Sequence, residues 1–283
     1  MITQDNMLIC IFSYNQTYEL NTLLTSMQQH TQGFDTIIID DGSDNPDTIN
    51  IINRFSDVFS DAFLLDKEQK TCTRGRLHQN IQFAYDYAIK HNYKYLFMVQ
   101  DDMQFVRSLD DHILKEYSSI LNSCDSIIQV DPRFLRRLGE IKVHYDKHYY
   151  SFTFKDDRSS YADVGILDLE KLSALNWRFE PSERENKVKA HKLGLKRIFP
   201  YSPIFMHLPY PVIYRKGKKK NKFPSPFVRR GRVHFLNLSE EEKATLDTRD
   251  IAIIPYARDL LTPKGLGLAY LHYKKANEGR VFA

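Results

Sequence analysis

Carboxylates stand out among the residues of this chain that could do chemistry. Asp40 and Asp41 follow one short apolar run, and Asp101 and Asp102 follow another. Hard cations such as Mg²⁺ and Mn²⁺ take oxygen ligands of this kind and bridge them to phosphates. Adjacent acids at the ends of apolar runs therefore favour metal-bridged binding of a nucleotide. The chain has no G-x-G-x-x-G and no G-x-x-x-x-G-K-[ST], which disfavours a Rossmann dinucleotide site and a P-loop.

The apolar runs before these acids are predicted to be buried strands, because they are short, rich in β-branched residues and bounded by turn residues. They alternate with segments whose apolar residues recur at helical spacing. The predicted strands are residues 7–13, 36–39, 62–65 and 95–99, and the predicted helices are residues 17–30, 47–59 and 77–90. This alternation predicts an α/β fold with a mostly parallel sheet flanked by helices.

Open sheets of this kind bind ligands beyond the carboxyl ends of their strands. Polar side chains follow every predicted strand, so these residues are the candidates for a site. They are Ser13, Tyr14, Asn15, Asp40, Asp41, Asp66, Gln100, Asp101 and Asp102. Arg74, Arg76 and His78 follow Asp66 by a few residues, where they could add positive charge beside a phosphate.

The composition is that of a folded chain. It has 283 residues and a mass of 33.3 kDa, with 42% hydrophobic and 27% charged residues, which excludes a wholly disordered or fibrous protein. No apolar run approaches the roughly 18 residues of a membrane span, so we expect neither export nor membrane insertion. Cys10, Cys72 and Cys124 lack C-x-x-C spacing, which disfavours a disulfide framework and a zinc site. A cytoplasmic location is expected.

Charge is distributed unevenly along the chain. Residues 1–207 hold 24 Lys and Arg against 29 Asp and Glu, whereas residues 208–283 hold 16 against 7. Nine basic residues and no acid fall within 215–232, and the aromatic residues within or just before this stretch are Tyr210, Tyr214, Phe223 and Phe227. This mixture suits an anionic membrane surface, a lipid-linked acceptor or an anionic glycan. It also suits a nucleic acid backbone or a solvated loop, although no nucleic acid partner is expected.

Three blocks of sequence resemble the nucleotide-sugar-dependent glycosyltransferases of family 2, which have the GT-A fold. The first is I-C-I-F-S-Y-N followed by a helix and I-I-I-D-D-G-S-D, and the second is L-F-M-V-Q-D-D-M. The third runs from residue 162 to 207 and contains A-D-V-G-I-L, E-R-E-N-K-V-K-A-H-K-L-G-L-K and P-I-F-M-H. The resemblance implies a GT-A domain over residues 1–207, followed by a basic C-terminal extension over 208–283 that packs on it.

The resemblance also implies roles for individual residues. Tyr14 and Asn15 would line the nucleotide pocket, while Ser13, Asp66 and Arg76 are donor-binding candidates from their places after the predicted strands. Asp41 would hydrogen-bond the base, most often uracil in this family, and Asp101 would contact the ribose or the metal. Asp102 and His207 would ligate Mn²⁺ or Mg²⁺, although Gln100 occupies the first position of the family's D-x-D motif. Glu183, or Glu185 as the near alternative, would be the general base.

The reaction implied is inverting, metal-dependent transfer of a sugar from a nucleoside-diphosphate sugar to a hydroxyl acceptor in glycan or polysaccharide assembly. A hexosyl- or N-acetylhexosaminyltransferase with a UDP-sugar donor is the expected type, acting on a glycan or lipid-linked acceptor. The cation would stabilise the departing diphosphate while one carboxylate takes the acceptor proton. Glu183 and Glu185 point about 200° apart on a helix, so only one of them can serve.

Other interpretations of the same residues stay open. Asp40 and Asp41 before Gly42 are typical of an Asx turn, His207 of a core histidine, and Glu183 of an exposed acid in a first helical turn. Two other functions compete with the transferase: a nucleic-acid-binding protein that uses residues 215–232, and a nucleotidyltransferase of related topology. The first leaves the strand-end acids unexplained, and the second lacks a Gly- and Arg-rich loop after the first strand.

Overall fold

A nine-stranded mixed sheet with helices on both faces forms the body of the molecule. The computed structural model describes residues 1–66, 76–136, 140–153, 157–209, 213–215, 218–220, 233–261 and 263–264. Its helices are α1 (Thr17–His30), α2 (Pro46–Arg54), α3 (Leu77–Lys90), α4 (Asp111–Asn122), α5 (Leu169–Ala174), α6 (Glu183–Lys192), α7 (Glu240–Thr248) and α8 (Ala257–Leu260). The strands that matter for the first half of the sheet are β1 (Met7–Ser13), β2 (Thr36–Asp40), β3 (Asp61–Leu64) and β4 (Tyr95–Gln100).

The remaining strands complete the sheet and add small pairs beside it. They are β5 (Met103–Phe105), β6 (Ile127–Val130), β7 (Ile141–His144), β8 (Tyr149–Phe152), β9 (Gly165–Asp168), β10 (Lys196–Pro200), β11 (Phe205–His207), β12 (Ile213–Arg215), β13 (Lys218–Lys220), β14 (His234–Phe235) and β15 (Pro263–Lys264). The order in the large sheet is β3-β2-β1-β4-β9-β6-β10-β8-β7. Strands β9 and β8 run against their neighbours, and the other strands share one direction.

The α/β prediction is confirmed, and its elements in the first hundred residues lie close to their predicted bounds. Helices α1 and α3 begin and end where helical spacing placed them. The helix predicted over 47–59 is shorter, because α2 ends at Arg54 and a separate 3-10 turn follows over Ser56–Val58. That break turns the chain back toward the sheet, where the Ser60 amide hydrogen-bonds the Thr36 carbonyl at 2.7 Å.

Alternating residues of the central strands fill two hydrophobic layers. Ile9 and Ile11 of β1 pack with α1, α2 and α4 on one face, whereas Leu8 and Cys10 pack with α3, α5 and α6 on the other. Every residue of β1 and β2 is buried, as strands covered on both faces must be. Strand β3 is largely exposed because it lies at the edge of the sheet.

A short antiparallel pair lies beside the large sheet and connects distant parts of the chain. Strands β5 and β11 pair Phe105 with Phe205 and Met103 with His207. Phe97, Phe105 and Phe205 pack as an aromatic cluster, with ring centroids 5.2 to 5.8 Å apart. The pairing places His207 next to the chain that leaves β4.

Residues 233–261 pack against the body through buried polar and apolar contacts. The Gln104 side chain donates to the Phe235 carbonyl at 2.9 Å and accepts from its amide at 2.8 Å. Arg107 makes a bidentate ion pair with Asp247 of α7, with both distances 2.8 Å. Two short helices, α7 and α8, lie in this segment.

The basic stretch is only partly described. Strands β12 and β13 pair in antiparallel fashion within it, and Tyr210, Phe223 and Phe227 lie outside the described residues. Its predicted anionic partner and the domain boundary at 207 stay predictions. No described helix combines the length and apolar character that a bilayer crossing needs.

The backbone at Gly165, the first residue of β9, leads to a test of the sheet. Its φ is +117°, and a Cβ added there would lie 2.6 Å from the Val130 carbonyl oxygen. We expect Gly165→Ala to lower the free energy of unfolding by about 2–4 kcal/mol, because backbone strain and overpacking act together.

Gly194→Ala is the matched control for this substitution. Its φ is +70°, but no described atom lies within 4 Å of the added Cβ. We expect it to cost about 1–2 kcal/mol, the strain of a left-handed residue alone. Urea denaturation of both variants measures the difference, and equal losses would show that the contact with Val130 is unimportant.

Candidate functional site

Five carboxylates line one edge of the large sheet. Four follow strands that end there, and the fifth precedes β9, which runs in the opposite direction and so begins at the same edge. They are Asp41, Asp101, Asp102, Asp131 and Asp163. All except Asp102 are less than a tenth exposed, so each needs a partner within the protein. Their partners define the chemistry of this edge, which we call the acidic rim.

The centre of the acidic rim is the point where the sheet changes direction. The chain runs from β1 outward through β2 and β3 and then returns to add β4 on the other side of β1. Ligands of open α/β sheets bind at such switch points. Here the Tyr14 amide donates to Asp101 Oδ2 at 2.7 Å, which joins the loop after β1 to the end of β4.

Asn15 ties the loop after β1 to the loop after β2. Its side-chain oxygen accepts from the amides of Asp44 and Asn45 at 2.9 and 3.1 Å, and its side-chain nitrogen donates to Asp44 Oδ1 at 2.6 Å. Its φ of 56° is left-handed, a conformation that Asn tolerates better than most residues. Ser13 is close by and buried, and its Oγ has no hydrogen-bond partner among the described residues.

The two acids of D-D-G-S have different roles. Asp40 accepts from the amide and hydroxyl of Ser43 at 2.6 and 2.7 Å, which is the Asx-turn arrangement. Asp41 forms a buried ion pair with Arg76, whose Nε donates to Asp41 Oδ1 at 2.8 Å.

Arg76 is therefore held by an acid of the acidic rim. Its Nη2 also donates to the backbone carbonyl of Asp66 at 3.2 Å, while the Asp66 residue itself is exposed. The ion pair with Arg76 orients Asp41. The Asp66 carboxylate has no partner among the described residues. Arg74 lies outside the described residues.

The adjacent acids Asp101 and Asp102 have opposite electrostatic environments. Burial raises the pKa of Asp101 well above its usual value, and the charge of Asp102 raises it further. Burial would also raise the pKa of Asp102, but His207, Arg136 and Arg133 outweigh it and hold that pKa below its usual value. One acid of the pair is thus costly to ionise, and the other is stabilised as a carboxylate.

His207 connects Asp102 to Arg133. Its Nδ1 lies 3.1 Å from Asp102 Oδ1, and its Nε2 lies 2.7 Å from Arg133 Nη1. A guanidinium group can only donate, so Nε2 must accept and Nδ1 must carry the proton that is donated to Asp102. Burial lowers the pKa of His207, and the charges of Arg133 and Arg136 lower it further. The imidazole is therefore neutral and both of its nitrogens are occupied.

Arg133 is fixed by a fully buried acid. Asp131 accepts from Nε and Nη2 of Arg133 at 2.7 and 2.5 Å, and from Nη1 of Arg197 at 2.9 Å. Burial would raise the pKa of Asp131, but the two guanidinium groups outweigh burial and hold it below its usual value. One buried carboxylate thus holds two guanidinium groups.

These contacts bear on the predicted metal site. The structure brings Asp102 and His207 together, as the resemblance implied. A metal ligand must offer a lone pair, however, and the Nε2 lone pair of His207 accepts from Arg133 while Nδ1 is protonated. No group of three or more His, Cys, Asp or Glu side chains in the described part of the chain could hold a metal ion. As arranged, Asp102 and His207 do not fit a divalent cation.

Glu183 and Glu185, the two candidate bases on α6, have different partners. Ser182 caps α6, accepting from the Glu185 amide at 3.3 Å and donating to Glu185 Oε2 at 2.6 Å. Glu185 is therefore engaged at the cap. Glu183 pairs with Lys187 at 2.8 Å and is close enough for its charge to raise the pKa of Asp163.

Asp163 completes the acidic rim on the side of α6. His78 Nε2 lies 3.1 Å from Asp163 Oδ1, and both side chains are about nine-tenths buried. Burial raises the pKa of Asp163, and Glu183 adds to that effect. His78 thus partners an acid rather than projecting freely toward a phosphate.

Sequence reasoning missed Asp131, Arg133 and Asp163 as site residues. The signal for the first two was present, because D-P-R follows the apolar run I-I-Q-V, just as the other acids follow their strands. Asp163 gave no such signal, since it precedes a strand and reaches this edge only because β9 is antiparallel.

Comparisons with known proteins agree on the fold. The crystal structure of S. aureus TarS 1-349 matches with a TM-score of 0.50 and 13% identity, over 71% of this chain and 60% of that one. The same fragment in complex with UDP matches with a TM-score of 0.50 and 14% identity over the same shares. The mannosyltransferase PcManGT from Pyrobaculum calidifontis, in complex with GDP-Man and Mn2+, gives a TM-score of 0.45 at 12% identity, over 72% of this chain and 57% of that one.

The matches to TarS 1-349 support the fold class. The chain has a GT-A-like α/β fold, with a large, mostly parallel sheet flanked by helices. The match covers less than two thirds of TarS 1-349. The sequence matches no protein-family model and no curated protein.

The opposite environments of Asp101 and Asp102 predict stability changes of opposite sign. The folded pKa of Asp101 lies above its unfolded value, so its ionised form costs stability at pH 7 and the cost fades as the pH falls through the folded pKa. The folded pKa of Asp102 lies below its unfolded value, so its contribution is present above about pH 4 and is lost as the pH falls through the folded pKa.

We expect Asp101→Asn to raise the free energy of unfolding at pH 7. Asp102→Asn should lower it by about 1 kcal/mol, the difference between a charged and a neutral hydrogen bond. Urea denaturation at pH 7 and pH 4.5 tests both, and the gain for Asp101→Asn should shrink at the lower pH. Changes of the same sign at pH 7 would contradict this description of the acidic rim.

Proposed function

We propose that this chain is an inverting glycosyltransferase that transfers a sugar from a nucleoside-diphosphate sugar to a hydroxyl acceptor. The observation that carries the proposal is that the loop after β1 meets the end of β4 at the switch point of a GT-A-like sheet. There the Tyr14 amide donates a hydrogen bond to Asp101. The fold sets the place for a ligand, and the side chains at that place suit a nucleotide.

The donor side of the proposal rests on Asp41 and Ser13. The backbone amide and the Nε of Arg76 each donate a hydrogen bond to one Asp41 oxygen. A carboxylate has about four lone-pair sites, so Asp41 can still accept a hydrogen bond from a base. The unpartnered Ser13 hydroxyl lies at the end of β1 and can serve a ribose or phosphate oxygen. A UDP-sugar is the donor class we propose, because Asp41 stands in the loop that resembles a uracil-binding motif.

On the acceptor side we assign the general base to Glu183. In the transfer, the bond between the anomeric carbon and the diphosphate oxygen breaks and its electron pair stays on that oxygen. The acceptor oxygen bonds to the anomeric carbon from the opposite side, and its proton passes to the Glu183 carboxylate. Attack from the opposite side inverts the anomeric configuration.

The finer features of the proposal come from the resemblance and from the charge pattern. We propose a hexosyl- or N-acetylhexosaminyltransferase that acts in the cytoplasm in glycan or polysaccharide assembly. The basic extension over 208–283 would meet an anionic or lipid-linked acceptor, or the membrane surface that carries it. Metal dependence is not included, because His207 has both nitrogens engaged.

Nucleotide binding tests the donor half of this proposal. We expect UDP to raise the melting temperature of the purified chain more than GDP, CDP or ADP does. At a hundredfold excess over Kd the stabilisation corresponds to about 2.7 kcal/mol. Asp41→Ala should reduce it, whereas the control Asp57→Asn should not, since Asp57 is exposed in the 3-10 turn that follows α2. If none of the nucleotides changes the melting temperature, the proposal is wrong.

Catalysis tests the acceptor half. We expect Glu183→Gln to lower kcat for UDP release from UDP-hexoses and UDP-N-acetylhexosamines at least about 100-fold, because a positioned base contributes that much or more. Nucleotide affinity should not change. Glu185→Gln is the matched control, on the same turn of α6 but engaged with Ser182. A large loss with Glu185→Gln instead would reverse the assignment.

A further inference from the structure

Arg133 engages a residue that the resemblance assigned to a cation. Its Nη1 lies 2.7 Å from His207 Nε2, the atom that a metal would need. Its charge helps to hold the pKa of Asp102 below its usual value. Burial lowers the pKa of Arg133, but Asp131 raises it, and the charges of Glu183 and Asp102 raise it further. Arg133 therefore interacts electrostatically with the strand-end acids and with the proposed base.

That position is where a transferase must neutralise negative charge. When the anomeric bond breaks, charge grows on the diphosphate, which must lie between the nucleotide loops and the acceptor base. A guanidinium group presents planar N–H pairs that match phosphate oxygens and stays charged at any working pH. Arg133 meets both requirements of charge and position.

The guanidinium of Arg133 is also oriented and not yet saturated. Three of its five N–H groups have described partners: two donate to Asp131 and one to His207. Two N–H groups remain, and the side chain is 16% exposed. Its acid Asp131 is shared with Arg197, so the positive charge of Arg133 is not fully cancelled.

We propose, resting on the proposed function, that Arg133 binds the diphosphate of the donor and stabilises it as it leaves, in place of a divalent cation. Asp131 fixes one edge of the guanidinium group. His207 receives one of its protons and, through Nδ1, is itself held by Asp102. Asp102 and His207 are then positioning residues that aim Arg133, and Arg136 adds positive charge beside them.

The consequence is that the protein should bind UDP more tightly than uridine without any metal. The experiment is isothermal titration of EDTA-treated protein with UDP and with uridine, followed by the same titrations in Mn²⁺. We expect UDP to bind more tightly than uridine in EDTA, and Mn²⁺ to leave that preference unchanged. Arg133→Ala should weaken UDP binding about 10- to 100-fold, the worth of charge-assisted hydrogen bonds, and leave uridine binding unchanged.

Two further variants keep the test clear of folding defects. Arg133→Lys keeps the charge but loses the planar pairs of N–H donors. Its affinity for UDP should therefore fall between that of the wild type and that of Arg133→Ala. Arg107→Lys is the matched control, because Arg107 is a buried arginine that also makes a bidentate pair with an acid, Asp247 of α7. It should lower the melting temperature without changing the preference for UDP over uridine.

The outcomes separate this inference from the proposed function. UDP binding that requires Mn²⁺ and is lost in His207→Ala would overturn the role of Arg133 while leaving the transferase proposal intact. A preference for UDP in EDTA that Arg133→Ala does not reduce would also overturn it. Failure of UDP and uridine to bind under any condition would count against the transferase proposal itself.

Discussion

The acidic rim depends on one electrostatic constraint: a carboxylate removed from water must be paired. Leaving a buried acid without a partner costs several kcal/mol, so a row of acids along one sheet edge can exist only with a matching row of donors. The partners come from every part of the chain. The pairs are Asp41 with Arg76, Asp102 with His207, Asp131 with Arg133 and Arg197, and Asp163 with His78.

Asp101 is the exception along this row. It accepts a hydrogen bond from the Tyr14 amide, and none of the described cations pairs with it. Its raised pKa is the electrostatic expression of that difference. The exception falls at the switch point of the sheet, the place where open α/β sheets bind their ligands. A folded chain keeps such a cost where function requires it, because local rules are commonly broken at binding sites.

The sequence was sufficient for local structure and insufficient for long-range pairing. Strands β1, β2 and β4 and helices α1 and α3 could be predicted because each is long enough to show its periodicity. The apolar run of β6 could have been recognised, whereas the direction of β9 depends on contacts with β4 and β6 that its own residues do not show. Asp163 was missed for this reason. The pairing of Arg76 with Asp41 was missed because an ion pair depends on three-dimensional proximity.

Gln100, where the glycosyltransferases that this sequence resembles have the first Asp of D-x-D, and Arg133 both make the site less negative. Gln100 removes one negative charge from the end of β4, and Arg133 adds a positive charge beside His207. A site built for a divalent cation needs acids to bind it, whereas a site that uses a guanidinium group needs fewer, because further acids would compete with the phosphate. Fewer acids together with an oriented arginine form a consistent alternative for stabilising a diphosphate. In both kinds of site a positive group must offset the charge of the diphosphate. The two kinds differ in the charges of the residues around that group.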